Sequence, residues 1–123
     1  MKNRPFADRI GFALAGLVTG WRRERSFRTQ VLAAAGVCVT LILLRPAPVW
    51  WAAVLLVTGL VLILELVNSA VEALVDLLHP AIHPEVKALK DMLAGAVLLA
   101  SGCAVIVGVA MLVDVLAGKG LLS

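Results

Sequence analysis

The chain has 123 residues, 62% of them apolar, with a formal net charge of +3 and a mean hydropathy of +1.03. That is too apolar for a soluble domain of this size, so the composition places the chain in a membrane. Nucleic-acid binding would need a soluble basic face, and the surplus Lys and Arg read instead as attraction to anionic lipid.

From the N-terminus, Met1 to Gln30 is basic and has no clean apolar core ahead of a cleavage site, which argues against a signal peptide. Ile10 to Leu17, then Trp21 and Arg22-Arg23-Glu24-Arg25, predicts an amphipathic helix over about 5–24 that lies on the membrane surface. Phe12 and Trp21 supply its apolar anchors. Three uncharged segments follow: Thr29 to Leu44, Ala47 to Leu64 and Met92 to Val113. Only the third has the about 20 residues that a spanning helix needs, and the other two reach it when their flanks continue as helix. The expected spans are 26–45, 48–78 and 90–114, within one domain over 1–123. The fold class is therefore an all-α membrane protein with three transmembrane helices and an N-terminal surface helix. Arg45-Pro46-Ala47-Pro48 makes the short turn between the first two spans, and two His-Pro pairs, His79-Pro80 and His83-Pro84, break the chain before the third. Cys38 and Cys103 sit mid-span with no ligand-type neighbours and read as small apolar filler. Asp114 reads as a solvated helix end.

Orientation follows from the placement of Lys and Arg. All of them except Arg45 and Lys119 lie before the first uncharged segment or between the second and third. This puts the N-terminus and the 77–91 loop in the cytoplasm and the C-terminus outside, in a multi-pass protein of the inner membrane.

The second span ends in Glu65-Leu66-Val67-Asn68-Ser69-Ala70-Val71-Glu72-Ala73-Leu74-Val75-Asp76, after an uncharged run from Trp50 to Leu64. On a helix, the offsets i, i+7 and i+11 put Glu65, Glu72 and Asp76 within about 20° of one line, with Asn68 beside it at i+3. With Trp50 and Trp51 anchored at the outer interface, Glu65 lies roughly 22 Å further along the helix, still inside a hydrocarbon core about 30 Å thick. Acidic groups there are costly and mark functional sites. Glu24, Lys90 and Asp91 stand on the same side of the membrane. Glu24 and Glu72 can share a Mg2+ with the phosphates of a nucleotide, which is how Mg2+ is normally held. A carboxylate at lipid depth, Glu65, can take a proton from a lipid hydroxyl. Lys90 can offset phosphate charge during transfer. No P-loop and no kinase glycine-rich loop is present. Small residues in Ala94-Gly95-Ala96 and Ala100 to Ala104 allow close helix approach. Three short helices offer little interior for these polar groups, and self-association is the physical remedy.

These residues resemble the prokaryotic diacylglycerol kinases, small integral-membrane lipid kinases that include the undecaprenol kinases. The resemblance rests on Glu65 to Asp76, on Lys90-Asp91-Met92-Leu93-Ala94-Gly95-Ala96-Val97-Leu98 and on Glu24-Arg25-Ser26-Phe27-Arg28, and covers about residues 9–113. It implies a homotrimer with active sites shared between neighbouring protomers. It implies Glu65 as the catalytic base and Glu24 and Glu72 as the Mg2+ ligands. Lys90 and Asp91 then contact ATP, with Asn68 and Asp76 in support and His83 in the nucleotide-facing turn. Arg9, Ser26, Arg28, Gln30 and Ala94 become lipid-side contacts. Thr29-Gln30 departs from the Gln-Glu pair of enteric members, and the His-Pro-rich turn is closer to Gram-positive ones. The expected activity is ATP- and Mg2+-dependent phosphorylation of diacylglycerol to phosphatidic acid, with undecaprenol as the alternative substrate. A rival of another class is a small proton-coupled transporter with Glu65 as carrier. It needs a carboxylate near mid-membrane, and it leaves Glu24, Glu72 and Lys90-Asp91 without a role. A non-catalytic membrane subunit is the third reading, and it requires Glu65→Gln to be tolerated.

Overall fold

The computed structural model describes residues 5–78 and 84–118. Four helices account for them: α1 (Phe6–Arg23), α2 (Arg25–Leu44), α3 (Pro48–Leu78) and α4 (Pro84–Gly118). Among the described residues there is no strand. The last three helices are each long and apolar enough to cross a membrane.

Each boundary has a local cause. α1 opens with Asp8 in its first turn and closes with Arg22 and Arg23 in its last, both matched to the helix dipole. One residue, Glu24, separates it from α2; its backbone is extended, with φ −112° and ψ 108°. α2 ends where Arg45 turns left-handed at φ 48° and donates its N–H to the Leu41 carbonyl at 2.9 Å. Pro46 disfavours helical backbone at the residue before it, so the chain turns there. Pro48 then starts α3 at the position where its missing N–H costs nothing.

α3 has 31 residues and α4 has 35. At 1.5 Å per residue these are about 46 and 52 Å long, well beyond a hydrocarbon core of about 30 Å. α4 starts at Pro84 and runs to Gly118, so it is longer than the 90–114 expected from the sequence. The apolar run marks only the part of a helix that suits lipid. Glu85, Lys87, Ala88 and Leu89 are good helix formers that extend it into polar surroundings.

α4 packs mainly along α3, with α2 on α3 and the α1–α2 corner closing one end. The buried core lies at the end that holds the α2–α3 turn. Leu41, Val54 and Met111 meet there, flanked by Val37, Leu44, Trp50, Trp51, Val107 and Val115. The Trp50 indole Nε1 donates to Asp114 Oδ2 at 2.9 Å, tying α3 to α4. Asp114 is thus a hydrogen-bond acceptor rather than a simply solvated helix end. Large apolar side chains such as Leu43, Leu56, Leu98 and Leu99 face outward. Cys38 and Cys103 are free and exposed.

Candidate active site

At the opposite end the interior turns polar. Among the described residues, Glu65 (6% exposed) and Ser69 (9%) are the buried polar or charged ones. They sit four residues apart on one face of α3. The rest of the stripe grades outward, with Asn68 and Glu72 half-buried and Asp76 exposed. Asn68 Nδ2 points to Glu72 Oε1 at 3.4 Å, a long hydrogen bond. Its Oδ1 is buried and has no hydrogen-bond partner among the described residues.

Other helices converge on this stripe. Gln30, from the first turns of α2, comes within side-chain hydrogen-bonding reach of Glu65, and Glu72 and Glu24 are close enough to act on Glu65 through their charge. Lys90 Nζ donates to Asp76 Oδ1 at 2.7 Å, bridging α4 and α3. Lys87 Nζ pairs with Asp91 Oδ2 at 2.7 Å, one turn along α4. Glu72 also lies within electrostatic range of Lys90. Glu24, Gln30, Glu65, Asn68 and Glu72 therefore face one region, with the Asp76–Lys90 pair beside it, while Lys87–Asp91 is an exposed pair along α4.

Glu24 reaches this group from the single extended residue between α1 and α2. Its N–H donates to Gly20 O at 2.9 Å, and its carbonyl accepts from the Arg28 N–H at 3.1 Å. Gly20 is buried, and a Cβ there would lie 2.6 Å from Leu66 Cδ2 and 3.3 Å from the Phe27 ring. Only a glycine lets α1 approach α3 this closely without displacing those side chains. Beside the corner, Gly16, Thr19, Arg23, Glu24, Ser69 and Ala73 help line a cleft of about 320 Å3.

The expected lipid-side residues are placed less uniformly. The Arg28 guanidinium is engaged within the chain, on the carbonyls of Trp21 and Arg22. Arg9 stands on α1 beside Phe6, Ile10, Phe12 and Ala13, around a shallow depression. Ser26 and Ala94 are exposed. His83 lies outside the described residues. Sequence reasoning gave no role to Ser69, Lys87 or Gly20. Ser69 had a usable signal, since it follows Glu65 by four residues and so shares its face.

Among the described residues, no three His, Cys, Asp or Glu side chains gather closely enough to hold a metal by themselves. Two carboxylates, Glu24 and Glu72, lie within electrostatic range of Glu65, whose hydrogen-bonding neighbour, Gln30, is neutral. That surplus of negative charge fits a hard divalent cation whose remaining ligands come from a bound phosphate-bearing molecule.

Residues 11–112 match the prokaryotic diacylglycerol kinase family. The chain is 40% identical over 98 residues to a diacylglycerol kinase of Synechocystis sp., a match covering 79% of this chain and 56% of that protein. It is 37% identical over 87 residues to an undecaprenol kinase of Bacillus subtilis, covering 71% of each. It is 39% identical over 82 residues to a diacylglycerol kinase of Pseudomonas aeruginosa, covering 67% of each.

Proposed function

The chain belongs to the prokaryotic diacylglycerol kinase family, and on that premise we propose that it transfers the γ-phosphate of ATP to the hydroxyl of diacylglycerol, giving phosphatidic acid. The observation that carries this reading is Glu65, a carboxylate buried in α3 just past its uncharged run, with Glu24 and Glu72 within electrostatic range.

In the proposed reaction, Glu65 accepts the proton of the lipid hydroxyl as the oxygen forms its bond to the γ-phosphorus. The bond from that phosphorus to the bridging oxygen breaks, and ADP leaves. Gln30 holds the Glu65 carboxylate through its amide. Glu24 and Glu72 would hold Mg2+, which supplies charge neutralisation to the phosphates when bound. Lys90, kept near the site by Asp76, offsets charge on the transferred phosphoryl group. Asn68 presents a buried acceptor oxygen to a donor on a bound molecule. Asp91 and His83 complete the nucleotide side, and Arg9, Ser26 and Ala94 the lipid side.

The same reading includes a surface position for α1, supported by its exposed Phe6, Ile10, Leu14, Leu17 and Trp21. It includes the inner membrane, with the Glu65 end of the bundle in the cytoplasm, supported by the Lys and Arg placement. It includes a homotrimer with shared sites, supported by the large outward-facing apolar surface of a thin bundle. A second substrate, undecaprenol, is favoured by the likeness to the Bacillus subtilis kinase. The test is phosphate transfer from radiolabelled ATP by the purified protein in mixed micelles, with each lipid offered alone. Label in phosphatidic acid supports the main reading, and faster labelling of undecaprenol supports the second. No label in either lipid, from folded protein, removes both.

A further inference from the structure

We propose that Arg28 is the positioning residue for Glu24, acting as a lock on the α1–α2 corner rather than as a contact for the lipid. The inference rests on the kinase reading only in taking Glu24 as a cation ligand.

Arg28 lies in the first turn of α2, where a positive charge is disfavoured by the helix dipole. That first turn carries no acidic residue to balance it. The structure resolves the conflict by sending the guanidinium backward across the corner. Nη1 donates to Trp21 O at 2.8 Å and to Arg22 O at 3.1 Å. Both carbonyls belong to the last turn of α1, where helix geometry leaves carbonyls without partners and the dipole favours a cation. One side chain thus caps the helix before the corner from the helix after it.

Between the two helices stands Glu24, the one extended residue. Its N–H is held by Gly20 and its carbonyl by the Arg28 amide. Its side chain direction is therefore set by how α1 and α2 meet, and Phe27 and Gly20 seat that junction against Leu66 of α3. With the guanidinium removed, the corner retains its backbone bonds and loses the two charge-assisted ones. Glu24 can then swing away from Glu65 and the α3 stripe without unfolding either helix. A lipid contact through Nη1 would compete with these two bonds.

The test uses the full-length protein in micelles, with Arg28→Ala, Arg28→Lys and the wild type compared. Mn2+ replaces Mg2+ as the probe, and its binding is read by electron paramagnetic resonance in the presence of a non-hydrolysable ATP analogue. In parallel, labelled-phosphate transfer gives the half-saturating Mg2+ and the KM for lipid. Arg28→Ala is expected to weaken Mn2+ binding about tenfold, within the worth of one hydrogen bond to a charged group. Its half-saturating Mg2+ should rise by a similar factor, with lipid KM unchanged. Arg28→Lys should fall between, since the ammonium keeps the charge but is more strongly hydrated and sits on a different stem from Nη1. If Arg28→Ala does not fold, Arg28→Lys decides: about threefold weaker Mn2+ binding is expected, and wild-type affinity overturns the proposal. Unchanged Mn2+ binding with a raised lipid KM also overturns it and returns Arg28 to the lipid. Wild-type protein that binds Mn2+ but labels no lipid defeats the kinase reading alone, and the Mn2+ comparison still judges the corner. A wild type that binds no Mn2+ overturns the proposal.

Discussion

The two ends of the helical bundle are built on different physics. At the Trp50 end, Leu41, Val54 and Met111 are buried together, and an indole–carboxylate hydrogen bond pins α3 to α4. At the Glu65 end a carboxylate and a hydroxyl, Glu65 and Ser69, are buried alongside the apolar Phe27, Val61 and Val75, and the helices are joined by Asp76–Lys90 and by the Arg28 corner. Packed apolar side chains resist change because any lost volume leaves a cavity. Buried polar groups cost stability unless they are satisfied, and Asn68 Oδ1 is not satisfied among the described residues. One end therefore holds the helices in register, and the other is the end to which the proposed function assigns the ligands.

Substitutions at the two ends should separate these duties. The largest effect is expected from Glu65→Gln, which keeps the shape and removes the base. Turnover should fall about 10^3-fold, in the range of general-base contributions, and the thermal midpoint should hold or rise because a buried charge has gone. Transfer of label and a melting curve on the same preparation check this, and near-wild-type turnover would remove Glu65 from the base role. Next, Leu41→Ala should cost about 2–4 kcal/mol of stability through its cavity, with turnover per folded molecule unchanged. A matching loss of turnover would show that the two ends are not separable. Asp76→Asn frees Lys90 and should raise the half-saturating ATP about threefold with little change in stability, since exposed ion pairs contribute at most about 1 kcal/mol. A steep stability loss would make that pair structural. The smallest effect is expected from Asp114→Ala, about 1 kcal/mol for one lost hydrogen bond, visible only in the melting curve.

Much of this architecture is legible along the chain, and the illegible part has one cause. Uncharged runs reveal helices that suit lipid, because length and hydropathy alone decide whether a segment can span. The stripe from Glu65 to Asp76 is legible because helical spacing within one segment needs no knowledge of neighbours. The contacts of Gln30 with Glu65, Lys90 with Asp76 and Trp50 with Asp114 depend on the rotation and register of separate helices. Nothing in the local pattern fixes those. The start of α4 is also hidden, because its first turns are polar and resemble a loop in composition. The break at Glu24 agrees with the expected surface helix over about 5–24 and first span over 26–45, but the bonds of Arg28 that hold the corner could not be read from the local pattern. The placement of charges on one side of the membrane already offered Glu24 as a site residue, the resemblance implied the same, and the geometry supplied how it is carried there.

The most direct measurement places Glu65→Gln and Leu41→Ala side by side in the same micelles, recording phosphate transfer per folded molecule and the unfolding midpoint of each. The division between the ends predicts a crossed result: Glu65→Gln loses transfer and keeps its midpoint, while Leu41→Ala lowers its midpoint and keeps transfer. Parallel losses of both quantities in both variants, or full transfer by Glu65→Gln, would contradict it.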